Sequence, residues 1–352
     1  MHIPDGYLSP ATCAALYMSA APFWYVALRR VKRLLHTRLV PHLSVFAAFS
    51  FVIMMFNLPL PGGTTGHAVG VGIATIVLGP WGSMLAISVA LLIQALFFGD
   101  GGITAFGANA FNMAIVGSLV AYGVYRLLSG NTPLVSTRRV IAAALAGYAA
   151  INVAALCAAI EFGIQPALFH DATGAPLYAP YPLHIAVPAM MIGHLTFAGL
   201  AELIVTGGVL AYLQRMDVSL LKLTAPAALR EDEGAPRSAW RTTRPLWIGL
   251  AALMILTPLG LLAAGKAWGE WGPQDFKDPA VRQQITVASN NQAPPTEPPQ
   301  GLARLSNIWT APMPDYAPPF LKSAAFGYIM SAMIGAGLVI SIFILLGWIM
   351  RR

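Results

Sequence analysis

The chain contains 352 residues, of which 57% are apolar and only 10% are charged, whereas an ordinary soluble domain is about 25% charged. This composition, together with a mean hydropathy of +0.66, excludes a water-soluble globule and indicates a protein that crosses a membrane several times. The net charge of +7 does not indicate a nucleic-acid partner, because most basic residues flank apolar stretches, where they set orientation in a lipid bilayer.

Nine apolar stretches predict nine transmembrane helices and therefore an all-α, polytopic membrane helix bundle. The stretches lie near residues 11–28, 41–58, 67–79, 82–98, 107–128, 138–160, 184–213, 245–264 and 324–349. The third stretch is short and meets the fourth at Gly79 and Pro80, so these two form either a full hairpin or a partly re-entrant one. We expect two full passes, because the charges of the loops then alternate consistently.

The predicted helices divide the chain into three regions. Residues 1–213 form a membrane domain of seven helices, residues 214–244 a polar cytoplasmic linker with a charge run at 230–233, and residues 245–352 a module of two helices. The external loop of this module, residues 266–322, is rich in Pro, Gln and Asn, and we expect part of it to be disordered.

The charges of the loops predict the orientation of the chain. Most of the 21 Lys and Arg residues fall in alternate loops and at the C-terminus, for example Arg29, Arg126 and Arg215, whereas acids such as Asp100 collect on the opposite face. By the positive-inside rule, the N-terminus is extracytoplasmic and the C-terminus cytoplasmic. Residues 1–10 have neither a basic n-region nor a small-residue cleavage site, so we expect them to stay on the mature protein.

The sequence has no motif for nucleotide hydrolysis or for a membrane hydrolase. A complete G-x-x-x-x-G-K-[ST] phosphate loop, a G-x-S-x-G elbow and an H-E-x-x-H pair are all missing from it. We therefore predict no ATP hydrolysis through a phosphate loop in this chain, no catalytic residue and no bound cofactor.

The second residue is a histidine, and its position gives the start of the chain a specific chemistry. A free terminal amine, the amide nitrogen of residue 2 and the imidazole of His2 can close adjacent chelate rings on one metal ion. Nitrogen ligands that include a deprotonated amide suit Ni(II), Cu(II) or low-spin Co(II) rather than Mg or Ca. The alternative is that His2 belongs to a frayed terminus without a ligand role.

A fourth nitrogen is available from His67, which ends the glycine-rich segment 62–67 on the same predicted face as His2. Imidazole is the commonest metal ligand, although a loop histidine serves equally well as a hydrogen-bonding or capping residue. The predicted metal ligands are therefore Met1, His2 and His67.

Weaker candidates are polar residues inside or at the end of predicted helices. Asn109 and Asn112 lie three residues apart at the external start of the fifth helix and could donate to a metal-bound histidine; hydrogen bonding between helices is the alternative. Glu202 and His194 lie on broadly the same side of the seventh helix and could form a structural polar link inside the bundle.

Several segments of the first 213 residues resemble a known family. Met-His-Ile-Pro-Asp-Gly-Tyr-Leu at residues 1–8, Gly62 to His67, and the segments 79–81 and 94–113 resemble the cobalt/nickel substrate-capture component of energy-coupling-factor transporters, the CbiM/NikM type. The resemblance covers about residues 1–213. It implies that the Met1 amine, the His2 amide and imidazole nitrogens and the His67 imidazole form a near-planar four-nitrogen site for Ni²⁺ or Co²⁺.

Residues 245–352 resemble the small accessory component that some members of this family carry as a separate chain. The segment 312–316 followed by 327–337 is similar to the end of such fused modules, whereas Trp268 to Pro273 departs from the Pro-Asp-Gly-Leu-Glu signature.

The resemblance also implies partners and a location. A transmembrane coupling subunit and two cytoplasmic ATPase subunits would supply energy to this non-enzymatic chain in the bacterial inner membrane.

Two alternatives are an ion-coupled secondary metal transporter and a membrane metalloenzyme. The first needs a relay of buried acids, and the second needs an open coordination position with a general base. Planar nitrogen ligation slightly favours nickel but does not separate it from cobalt.

Overall fold

The computed structural model describes residues 1–34, 40–225, 239–263, 265–318 and 320–349. The charge run at 230–233, the centre of the predicted linker and the terminal Arg351 and Arg352 lie outside these ranges. The α-helices are α1 (Pro10–Leu34), α2 (Val40–Met54), α3 (Val71–Ile93), α4 (Phe106–Asn109), α5 (Gly117–Ser129), α6 (Thr137–Gly163), α7 (Gln165–Leu168), α8 (Leu183–Gly193), α9 (Gly199–Met216), α10 (Ala239–Leu256), α11 (Pro279–Ala288), α12 (Gln300–Leu305) and α13 (Ala324–Ile349).

Shorter elements extend or join these helices. In the described ranges, π-helical segments span Gln94–Phe98, Ala110–Val116 and His194–Ala198, and 3₁₀ segments span Val218–Leu221, Thr257–Leu262 and Pro314–Tyr316. The strands β1 (Leu58–Leu60) and β2 (Thr64–Gly66) form an antiparallel hairpin, with Leu58 opposite Gly66.

Within the described ranges, seven helical stretches are long and apolar enough to cross a membrane, and α2 is a shorter apolar helix. This confirms the predicted all-α, polytopic membrane bundle. The exact number of nine helices is not confirmed, because the third and fourth predicted helices fall within one stretch, Val71–Phe98.

The stretch Val71–Phe98 folds back on itself. Gly79 has φ 70° and ψ 167°, a conformation outside the helical region that glycine adopts easily. The hydroxyls of Thr75 and Ser83 lie 3.0 Å apart, whereas an unbroken helix would separate residues eight positions apart by about 12 Å along its axis. The chain therefore reverses direction at Gly79.

Both ends of this hairpin meet at the same place. The His67 ring, just before α3, contacts the His2 ring, and Asp100, just after Phe98, contacts the same histidine. The first arm has only eight helical residues before Gly79, which rise about 12 Å, less than the ~30 Å of a hydrocarbon core. The expected full pass at 67–79 is therefore a shorter, inserted arm.

A buried carboxylate holds the start of α3. Glu202, on α9, is fully buried and accepts hydrogen bonds from the main-chain N–H groups of Val69 and Gly70 at 2.8 Å each and of Gly72 at 3.1 Å. The hydroxyl of Thr206 also donates to it, at 3.1 Å. A negative charge at this position satisfies the N–H groups that a helix start leaves without partners, so Glu202 orients the segment that follows His67.

Helix packing joins the membrane domain internally and attaches the C-terminal module to it. Helix α6 packs against α5, α8 and α9, while α13 of the C-terminal module packs against α2. Leu220 and Leu221, at the start of the predicted linker, are buried, and the hydroxyl of Thr224 donates to the carbonyl of Ile76 at 2.6 Å. The linker region up to residue 225 therefore belongs to the packed bundle.

The external segment of the C-terminal module is folded, whereas its composition predicts partial disorder. Trp268, Trp271, Phe276 and Ile285 are buried. The guanidinium of Arg282 donates to the carbonyls of residues 276, 294 and 295. A few large apolar side chains supply the packing that orders this segment. The overall composition, which is rich in Pro, Gln and Asn, does not reveal them.

We expect Glu202→Gln to lower the free energy of unfolding by about 1–3 kcal/mol, because an NH₂ group that cannot accept replaces one of the two oxygens and leaves buried N–H groups without a partner. Thermal unfolding of the detergent-purified protein measures this change. The exposed Glu297→Gln is the matched control and should leave the transition where it is; equal transitions for the two variants would contradict the role of Glu202.

Candidate metal-binding site

The first three residues of the chain are buried in the protein. Met1 is 3% exposed, His2 1% and Ile3 0%. The structure therefore does not support the alternative of a frayed terminus, and it places the terminal amine and the His2 imidazole where water has little access.

Hydrogen bonds to the main chain hold this segment. The amide of Asn109 accepts from the N–H of Ile3 at 2.8 Å and donates to its carbonyl at 3.0 Å, and the N–H of Gly102 donates to the same carbonyl at 2.8 Å. The carboxylate of Asp5 accepts from the N–H groups of Ile103 and Thr104. The loop can approach so closely because a Cβ at Gly102 would overlap Asp5.

His67 lies against His2, as the sequence predicts. The centres of the two imidazole rings are 5.0 Å apart and their planes are inclined by 52°. The Nδ1 atom of His67 lies 3.1 Å from the carbonyl of Ala68. Because a carbonyl only accepts, Nδ1 carries the proton and Nε2 keeps its lone pair.

The environment of His67 keeps its imidazole neutral. Burial, assisted by the nearby His2 and the terminal amine, lowers the pKa of His67 to about 3, because a buried imidazolium loses its hydration. At neutral pH the side chain therefore presents a lone pair, which is the form that binds a metal.

Two carboxylates complete the surroundings of the terminus. Asp100 contacts Nδ1 of His2 through Oδ1, and Glu270 of the C-terminal module lies 3.3 Å from the Met1 amine through Oε1. Burial alone raises the pKa of Asp100, but the adjacent His2 imidazole holds that pKa well below its ordinary range. Sequence reasoning places Asp100 only on the same face as His2 and misses both acids as site residues.

The two asparagines predicted to surround the site have different roles. Asn109 acts on the main chain of Ile3, as described above, rather than on a histidine. Asn112 donates to Glu161 on α6 at 2.8 Å, which corresponds to the alternative of hydrogen bonding between helices. The sequence left open whether these amides donate to a histidine or join helices. The three-residue spacing places them on one helix side, but their amides point to different neighbours, and neither neighbour is a histidine.

His194 and Glu202 do not form the polar link that their spacing suggests. The Nδ1 atom of His194 donates to the carbonyl of Met190 on its own helix at 2.9 Å, and Glu202 binds the start of α3. Both residues are structural in this fold.

A cavity of about 660 Å³ opens beside the terminus. Its lining includes His67, Asp100, Glu270, Lys266 and Tyr316, so it lies between the membrane domain and the C-terminal module. This volume is much larger than a single water molecule, whose share of liquid volume is about 30 Å³. The cavity therefore has room for several water molecules or a hydrated ion beside His67.

The nitrogens beside the terminus come from the main chain as well as from side chains. In the part of the chain that the structure describes, no group of three or more His, Cys, Asp or Glu residues is arranged to hold a metal ion. The nitrogens brought together are the Met1 amine, the amide of residue 2 and the two imidazoles. Nitrogen donors of this kind suit Ni(II), Cu(II) and Co(II).

Comparison with known proteins identifies similar chains. Residues 2–220 match the family model of CbiM, the cobalt uptake substrate-specific transmembrane region, and residues 243–352 match the PDGLE domain. The second match covers the whole C-terminal module, including the segment that departs from the Pro-Asp-Gly-Leu-Glu signature.

Full-length relatives and a solved structure agree with these matches. The fused nickel transport protein NikMN of Rhodobacter capsulatus is 57% identical over 97% of this chain and 95% of its own length. The probable fused nickel transport protein LarMN of Lactiplantibacillus plantarum is 44% identical over 95% and 93%. A crystal structure of a truncated transition metal transporter, 50% identical, superposes with a TM-score of 0.57 over 61% of this chain and 99% of that chain.

We expect Asn109→Ala to weaken Ni²⁺ binding about 10–100-fold, because groups that orient a ligand typically have effects of this size. Calorimetric titration of the purified full chain measures the affinity. Asn112→Ala, three residues further along, is the matched control and should bind Ni²⁺ as the wild type does. Equal effects of the two variants would contradict the role assigned to Asn109.

Proposed function

Because the chain belongs to the CbiM family and carries a PDGLE domain, we propose that it is the substrate-capture component of an ATP-driven energy-coupling-factor importer for Ni²⁺ or Co²⁺. The observation that carries the proposal is the burial of a free N-terminus beside His67, with Met1 3% exposed and His2 1% exposed. A terminus of this kind supplies an amine ligand that no internal main chain can offer.

In this proposal, Met1, His2 and His67 are the metal ligands. The terminal amine and the amide of residue 2 close one chelate ring, and the amide with Nδ1 of His2 closes a second; Nε2 of His67 fills the fourth position. The contact of Nδ1 with Asp100 gives way when the metal takes that nitrogen. The amine and the amide release protons as the metal binds, and Asp100 and Glu270 carry negative charge beside them.

The site faces the outside of the cell in this proposal. Arg126, Arg138 and Arg215 lie at helix ends in the loops predicted to be cytoplasmic, and Thr224, just beyond α9, contacts α3 near its reversal at Gly79. The reversal is the end of the hairpin remote from His67. The positive-inside rule then places His67 and the terminus on the extracytoplasmic face of the inner membrane.

Energy comes from separate subunits in this proposal. The chain lacks a phosphate loop, so a transmembrane coupling subunit and two cytoplasmic ATPases supply it. The two buried acids of the membrane domain are both engaged, Glu202 with the start of α3 and Glu161 with Asn112, which argues against an ion-coupled carrier that needs a free proton relay.

Uptake into proteoliposomes tests the proposal. The chain reconstituted with its coupling and ATPase subunits should accumulate Ni²⁺ or Co²⁺ with ATP and should not do so with a non-hydrolysable analogue. Accumulation by the chain alone, driven by an imposed proton or sodium gradient, would instead establish a secondary transporter.

The free amine itself can be tested by extending the chain. One glycine added before Met1 converts the amine to an amide and moves His2 to position 3, so we expect Ni²⁺ and Co²⁺ binding to fall as severely as with His2→Ala. A tag after Arg352 is the control and should be harmless. Calorimetry and the visible absorption of the bound metal report the outcome; an extended protein with wild-type affinity and an unchanged spectrum would refute the proposed coordination.

A further inference from the structure

Besides Glu270, which faces the Met1 amine, the C-terminal module reaches the candidate metal site through the side chain of Tyr316. This residue is 5% exposed, and its ring stacks on Phe98, with centroids 4.9 Å apart and planes inclined by 21°. Its hydroxyl donates to Oδ2 of Asp100 at 2.5 Å. The same carboxylate contacts Nδ1 of His2 through its other oxygen, so only Asp100 separates Tyr316 from a proposed ligand.

A neighbouring amide sets the direction of this hydrogen bond. Nε2 of Gln94 donates to the Tyr316 hydroxyl at 2.9 Å and lies 3.4 Å from Oδ2 of Asp100. Because an amide NH₂ only donates, the Tyr316 oxygen accepts from Gln94 and its O–H group is directed to Asp100. The chain of contacts therefore runs from Gln94 through Tyr316 and Asp100 to His2.

The backbone around Tyr316 is held in an unusual conformation to make this contact. Asp315 and Tyr316 have φ of 53° and 59°, in the left-handed region that residues with a side chain rarely enter. The N–H of Met313 donates to the carbonyl of Phe97 at 2.9 Å, and the hydroxyl of Ser331 donates to the carbonyl of Tyr316 at 3.0 Å. Contacts from both modules thus maintain the strained turn, as occurs at functional sites.

The net charge of the proposed metal site explains why the contact between Tyr316 and Asp100 matters. A divalent ion bound by an amine, two neutral imidazoles and one deprotonated amide retains a single positive charge in a buried place, and an uncompensated buried charge is strongly unfavourable. One nearby carboxylate would neutralise it. Asp100 contacts the proposed ligand His2 through one carboxylate oxygen, and Tyr316 and Gln94 bind the other.

We infer that Tyr316 is a positioning residue that holds Asp100 as the counter-charge of the bound metal. The C-terminal module thereby completes the electrostatic surroundings of a site whose ligands all belong to the membrane domain. This inference rests on the proposed function. Glu270, at the Met1 amine, is a second acid from the same module, but neither Tyr316 nor Gln94 contacts it, so the inference concerns Asp100 alone.

A double-mutant cycle on the full chain, with a free N-terminus and a C-terminal tag, tests this role. Tyr316→Phe should weaken Ni²⁺ binding about tenfold and Asp100→Asn about 10–100-fold, the range for groups around a metal site. In the Asp100→Asn background, Tyr316→Phe should have no further effect, because its hydroxyl then has no carboxylate to hold. Calorimetry with NiCl₂ and visible spectra of the bound ion give both readouts.

Tyr328→Phe is the matched control. Its ring contacts Tyr316, with centroids 5.7 Å apart, but within the described residues its hydroxyl makes no hydrogen bond, so Ni²⁺ affinity should stay at the wild-type value. Thermal unfolding of each variant identifies any general loss of fold. The inference is overturned if Tyr316→Phe binds as the wild type does, if its effect persists undiminished beside Asp100→Asn, or if Tyr328→Phe is equally impaired. A wild-type chain that binds neither Ni²⁺ nor Co²⁺ would refute the proposed function itself.

Discussion

A charged amine at the end of a chain is normally solvated, and in this protein it is buried with the two residues that follow it. Taking a polar group out of water costs free energy unless the group finds hydrogen-bond partners in the protein, so neighbouring groups must compensate for the burial of this amine. Asn109 and Gly102 bind the main chain of Ile3, Glu270 faces the amine and Asp100 faces His2. The loop after Phe98, the start of the helix at Phe106 and the external segment of the C-terminal module therefore all take their positions around the terminus.

The hairpin at residues 67–100 contributes two of the residues that surround the buried N-terminus. Its two ends, His67 and Asp100, meet at His2 because the chain reverses at Gly79. Glu202 holds the start of the first arm from within the bundle, so the position of His67 depends on a carboxylate on α9. A loop histidine is thus attached to the packed bundle, which suits the ligand role that we propose for it.

The C-terminal module contributes contacts of a different kind. It offers none of the proposed ligands, yet Glu270 and Tyr316 reach the residues that surround them. The cavity between the two modules is lined by residues of both, among them Asp100, Glu270 and Lys266. Fusion of the two regions in one chain keeps these groups at a high local concentration, as a tether does for any weak contact.

The sequence by itself determined the class of the fold and suggested the chelating chemistry that we propose for the site. Composition and the length of the apolar stretches are local properties, and lipid imposes helices on them because backbone groups find no other partner in hydrocarbon. The chelating capacity of residues 1 and 2 is equally local, since it follows from covalent geometry alone. The tertiary structure decided the rest: the short inserted arm at Gly79, the folding of residues 265–318, the separate roles of Asn109 and Asn112, and the positions of Asp100, Glu270 and Tyr316. The contacts of Asp100, Glu270 and Tyr316 join residues that are between 98 and 269 positions apart in the sequence. Such pairings depend on how whole helices pack, which no local pattern of residues encodes.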